Sequence, residues 1–179
     1  MKPNERGYSL IELLIGITIT VLASGAAGGA IFQILKNTER NSDHMTVVRQ
    51  VQNAGYWISH DAQMALSVTT TDNLTLPDFL ALSWTTWNGT SGNPVYHSTN
   101  YTFENLTNGT GTLKRNYQNS DGADQTMLVA QYIYYESSDT ANTSNVSYQS
   151  PVLTLKITSV FEGMMETREY RIKRRTNLF

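Results

Sequence analysis

The stretch GYSLIELLIGITITVLASGAAGGAIFQILK, residues 7–36, decides how the rest of the chain is read. From Tyr8 to Phe32 it is apolar enough to enter a membrane, with one exception, Glu12. A carboxylate in hydrocarbon costs about 2.5–3.5 kcal/mol even on lenient insertion scales, so Glu12 calls for a partner. From Leu13 to Leu35 there is no charge over 23 residues, a helix of about 35 Å that spans a bilayer with some tilt. Lys2 and Arg6 precede it and Lys36 and Arg40 follow it, so the Lys and Arg count leaves the orientation open.

The helical period continues past Lys36. Val47, Val51, Ala54, Ile58, Ala62 and Ala65 step by three or four residues and form one apolar stripe. The spacing predicts one helix from Tyr8 to about Leu66, its first half in lipid and its second half lying on a domain.

After Leu66 the pattern changes to β. Residues 79–84, 127–135, 152–157 and 169–173 are rich in β-branched and aromatic side chains, alternate in part, and are separated by Gly, Asn, Ser and Asp. They predict an antiparallel sheet. Residues 85–124, with Asn88-Gly89, Asn108-Gly109 and Asp121-Gly122, are expected to hold hairpins and a long loop. The fold class is therefore α+β, a long amino-terminal helix packed on a β-rich head.

Thirteen Lys+Arg against fifteen Asp+Glu leave a net charge of −2. The distribution is uneven: residues 50–167 carry three cations and ten acids, whereas residues 168–179 carry five cations and one acid. Nothing in this balance favours nucleic acid. There is no cysteine, which excludes disulfides, thiol chemistry and Cys-ligated metals. The Asn- and Thr-rich composition between residues 69 and 145 suits an exported surface domain with long loops.

Three features coincide at the start: a short cationic leader ending in Gly7, an apolar segment directly after it, and Glu12 at the fifth position of that segment. Gly7-Tyr8-Ser9-Leu10-Ile11-Glu12-Leu13 resembles the processing site of type IV prepilins and type II secretion pseudopilins. The resemblance implies cleavage after Gly7 by a prepilin peptidase, N-methylation of the new terminus at Tyr8, an amino terminus inside, and residues 36–179 across the inner membrane. Glu12 would face the Tyr8 amine of an adjacent subunit and set the stagger between helices. The family usually carries Phe where this chain has Tyr8. The same resemblance implies other pilin or pseudopilin subunits, an assembly ATPase and a platform protein as partners, no cofactor, and no catalysis. Gly25 and Gly29 form a Gly-x-x-x-Gly pair that admits a neighbouring helix, and Gly28-Gly29 would be the point at which pilin helices often unwind. The expected divisions are residues 1–7 as leader, 8–35 as membrane and assembly helix, 36–68 as its amphipathic continuation, and 69–179 as the head. Residues 51–65, ending in Asp61-x-x-x-Ala65, are similar to the helix of minor subunits that include the J-type pseudopilin.

Two other readings of the amino terminus remain, a secretory signal with small residues from Ala23 onward and a signal anchor for a surface binding module. Both leave Glu12 without a purpose. His44, His60 and His97 are scattered and are read, with Asp61, as solvated helix residues. Asn119, Asp121 and Asp124 place oxygen ligands at alternating spacing, but lack the distal Glu of a calcium loop and are read as a turn. Trp84, Trp87, Tyr132, Tyr134 and Tyr135 could form a sugar- or partner-binding face, yet alternation assigns at least one set to the core. Arg171, Lys173 and Arg175 are expected on one solvated strand face opposite Tyr170, Ile172 and Arg174. Seven Asn-x-Ser/Thr triplets, at Asn73, Asn88, Asn100, Asn105, Asn108, Asn142 and Asn145, follow from composition. No Gly-x-Ser-x-Gly elbow, Walker loop or His-Glu-x-x-His is present.

Overall fold

A computed structural model describes residues 9–71, 73–75, 79–87 and 92–174. It divides into two compact units, residues 1–42 and 43–179. Gly7, Tyr8, Asn88-Gly89 and Arg175 lie outside the described residues.

The helix α1 spans Leu10–Met64, 55 residues, close to the extent expected from periodicity. It runs through Gly28-Gly29 without interruption, so the unwinding implied by the resemblance does not occur in this structure. Two glycines weaken a helix by about 1 kcal/mol each, but both keep their backbone N–H, so no helical bond is lost as it would be at proline. Every described residue from Ser9 to Ser42 is exposed.

In the second unit, α1 lays its predicted stripe on a sheet. Val47, Val51, Ala54, Ile58, Ala62 and Ala65 are all buried. The strands are β1 (Ser67–Thr70), β2 (Leu80–Trp87), β3 (Pro94–Thr107), β4 (Thr110–Asn119), β5 (Asp124–Tyr134), β6 (Asn145–Gln149), β7 (Val152–Phe161) and β8 (Met164–Lys173). All described pairings are antiparallel. The order is β1-β2-β3-β4-β5-β7-β6, with β8 on the other side of β7. The sheet curls until β1, at one end of that order, meets β6 at the other. Its inner face carries Leu80, Leu82, Tyr101, Phe103, Leu113, Ile133, Leu153, Leu155 and Ile172, which close the core around the helix stripe.

Residues 94–119 form the hairpin expected at Asn108-Gly109, two long strands joined by a two-residue turn with Thr107 opposite Thr110, and they leave no long loop between 94 and 119. Asn108 (φ 51°) and Gly109 (φ 78°) occupy the left-handed region, as a primed hairpin turn requires. The full length of the strands is masked in the sequence because their outer faces are mostly polar, while the inner face of β3 carries Val95, Thr99, Tyr101 and Phe103.

At position 55 the helix meets β8 at close range. A methyl group there would lie 2.1 Å from Cζ of Tyr170, whose hydroxyl donates to the carbonyl of Val51 at 3.2 Å. Tyr170 and Ile172 face inward while Arg171 and Lys173 face solvent, as alternation predicts for this strand.

Candidate functional site: the apolar helix and its carboxylate

Ser9 is the N-cap of α1. Its carbonyl accepts the first helical bond from Leu13 N–H at 3.2 Å, and its hydroxyl accepts from Ile11 N–H at 3.2 Å. Glu12, three residues on, turns back so that Oε2 accepts from Ser9 N–H at 3.0 Å. This is the reciprocal capping box, in which a cap hydroxyl and a Glu at the third helical position satisfy orphan amides at a helix start. Glu12 therefore has a partner within its own chain, and a reading that leaves it unpaired until assembly is incomplete. The signal was present in the sequence, because Ser-x-x-Glu directly ahead of an apolar run is a helix-start pattern.

Below the cap the helix presents an apolar surface on all sides. Leu10, Leu13, Leu14, Ile17, Ile19, Val21 and Leu22 each expose half or more of their area. Thr18 and Thr20 donate to the carbonyls of Leu14 and Gly16, both at 2.8 Å, which removes their hydroxyls from the side-chain surface. The segment is long and apolar enough to cross a membrane. A shallow groove runs along the face of Glu12, Gly16 and Thr20, flanked by Leu13, Ile17 and Val21. Gly16, not singled out from the sequence, makes this dip directly below the carboxylate. Nothing lies within 4 Å of a methyl group built at Gly16, Gly25, Gly28 or Gly29, so all four glycine faces are open.

The second unit holds a buried charge cluster that the sequence reading missed. Asp61 is fully buried. Its Oδ2 accepts from Arg115 Nε at 2.6 Å and from the Tyr101 hydroxyl at 2.7 Å, and its Oδ1 accepts from Arg115 Nη2 at 3.0 Å. The Arg115 guanidinium lies 5.2 Å from the ring centroids of both Trp57 and Tyr117, a cation between two π faces. Burial and the Asp61 charge push the Tyr101 hydroxyl well above its ordinary pKa. Burial opposes the charge on Arg115, but the Asp61 hydrogen bonds and charge outweigh it and raise its pKa. Asp61 is thus a core residue, not a solvated one; it sits three residues after Ile58 and four before Ala65, within the apolar stripe, and that placement was its signal. The cluster ties α1 to β3 and β4, and the exposed His60 lies at its edge with Nδ1 3.4 Å from Asp61 Oδ1.

The remaining candidates are dispersed. His44 and His60 are exposed on α1, but His97 lies on β3, where its ring stacks on Trp84 at 5.3 Å and Nδ1 meets the Tyr117 hydroxyl at 2.8 Å. Asn119 Oδ1 accepts from Asp121 N–H and Ala123 N–H, so the 119–124 segment closes as a turn on its own amides. Trp84, Ile133 and Tyr135 are buried, and Trp87 is exposed. The aromatics therefore do not form one face. Arg174 donates to the carbonyl of Leu66, the residue that links α1 to β1. No group of three potential metal-ligating side chains occurs among the described residues.

The prokaryotic N-terminal methylation motif matches residues 2–28, the segment that contains the capped start of α1 and Glu12. No curated protein and no solved structure matches the chain. The match at residues 2–28 supports a prepilin of the type IV pilin or pseudopilin kind.

Proposed function

We propose that the chain is a minor pilin or pseudopilin subunit, assembled into a type IV pilus or a type II secretion pseudopilus. A prepilin peptidase cleaves after Gly7 on the cytoplasmic side and methylates the Tyr8 amine. The subunit waits in the inner membrane with its head outside, and the assembly machinery then draws it into a filament whose other members are pilin-type subunits. Gly25, Gly28 and Gly29 let neighbouring helices approach, and Glu12 meets a neighbour's Tyr8 amine.

The observation that carries this reading is the joining of the methylation motif to an apolar helix exposed on every side. Such a surface needs either lipid or other helices against it, and a subunit that passes from membrane to filament meets both in turn. Replacing Gly7 by Leu tests the processing step: the protein from membranes should keep its full mass, and a normally shortened product would refute the site.

One observation favours a second reading, a signal-anchored surface module that does not polymerise. Because Glu12 is satisfied by the Ser9 amide, its presence alone does not require a filament. Co-purification with filaments separates the two readings.

A further inference from the structure

A second feature of the head is independent of the helix. Between the Asn73 turn, the start of β6 and the segment after β5 lies an open cleft of about 610 Å³, within the range of small-ligand sites. We propose that this cleft binds a neutral carbohydrate.

The chemistry of the lining selects the ligand class. Among the described residues, Asn73, Tyr135, Ser137, Thr140, Thr143, Asn145, Val146 and Ser147 line it, and none of these is charged. Among these lining residues an anion finds no cation and a metal ion no carboxylate. An apolar ligand would strip water from amide and hydroxyl groups without replacing it. A sugar hydroxyl both donates and accepts, as Ser, Thr and Asn side chains do.

The cleft is also held in shape. Asn73 Oδ1 accepts from Thr75 N–H at 3.0 Å, from the Thr75 hydroxyl at 2.6 Å and from the Tyr135 hydroxyl at 3.0 Å. Those three bonds fix the amide, and among the described residues no acceptor takes its Nδ2 donors. The opposite wall, residues 136–144, is pinned at several points. Thr143 Oγ1 accepts from Glu136 N–H at 2.9 Å, which leaves its own proton to donate. Asp139 accepts from the Asn142 amide at 3.0 Å and from its side chain, and these bonds lower the Asp139 pKa. Lys156 reaches the carbonyls of Thr140 and Ala141. A wall that is already ordered loses little freedom when a ligand binds. The β6 backbone enters the cleft only at Asn145, Val146 and Ser147, too short a ladder to hold an added peptide strand by itself.

The test uses the ¹⁵N-labelled full chain in detergent micelles, titrated by NMR with maltose, cellobiose and N,N′-diacetylchitobiose. The expected result is saturable shifts at Asn73, Thr140, Thr143 and Ser147 with at least one of the three, in the millimolar range. Ser147→Trp, which fills the cleft without touching any of the bonds above, should weaken that binding by about tenfold or more. Asn73→Ala should weaken it too, and an unchanged spectrum elsewhere in the Ser147→Trp variant shows that the fold is intact. No saturable shift with any of the three sugars overturns the proposal. So does equal binding by Ser147→Trp, or a neutral Ser/Thr/Asn peptide that shifts the same amides when the sugars do not.

Discussion

Arg115 grips Asp61 with two nitrogens, Nε at 2.6 Å from Oδ2 and Nη2 at 3.0 Å from Oδ1, across a sequence separation of 54 residues. The bond joins α1 to β4 at a place where the carboxylate has no exposure to water. Removing one partner leaves the other charged and buried, which costs about 3–5 kcal/mol. Arg115→Ala should therefore lower the denaturation midpoint of the head severely. The triple change Asp61→Leu, Arg115→Met, Tyr101→Phe leaves no stranded charge and should be less destabilised than Arg115→Ala alone. A triple variant that unfolds more readily than the single would contradict this account.

The same cluster sets an alkaline limit. Burial and Asp61 hold the Tyr101 hydroxyl neutral in the fold well above the ordinary value of 10.0. The unfolded chain ionises this hydroxyl near that ordinary value, so the contribution is complete below it and is lost as pH rises toward the folded value. Unfolding free energy measured against pH should fall above about pH 10. Tyr101→Phe should reduce that slope; an identical slope in the variant would assign the loss to other groups.

At Gly55 two effects oppose each other. Glycine in a helix interior is about 1 kcal/mol worse than alanine, yet a methyl group there meets the Tyr170 ring at 2.1 Å. Gly55→Ala should destabilise the wild-type head by about 1–3 kcal/mol. In a Tyr170→Ala background the same change should become stabilising, by up to about 1 kcal/mol. A double-mutant cycle read by denaturant unfolding decides the sign.

Glu12 can be tested by separating its cap from its charge. Glutamine serves a capping box as glutamate does but cannot pair with an amine as an anion. If the carboxylate sets filament register, Glu12→Gln and Glu12→Ala should both leave processing largely intact and lower incorporation into filaments. Incorporation of Glu12→Gln at the wild-type level would restrict Glu12 to its cap.

Much of this architecture was legible because it is local or periodic. The stripe from Val47 to Ala65 repeats at helical spacing, and β7 and β8 carry enough Val, Leu, Ile and Tyr to announce themselves. For β3 and β4 the turn was legible at Asn108-Gly109 but the length of the strands was not, since their solvent faces are composed like loops. The Asp61 cluster was hidden for another reason: an ion pair between residues 54 apart is a property of the folded sheet and helix together. Ser9 and Glu12 lie three residues apart and needed no tertiary knowledge.

The most direct measurement is the intact mass and amino-terminal sequence of the protein recovered from membranes of its native host. The account predicts a chain that begins at N-methyl-Tyr8, shortened by the seven residues of the leader. A chain that begins at Met1, or near Ala26, would contradict it and leave a tethered or secreted protein whose Glu12 only caps a helix.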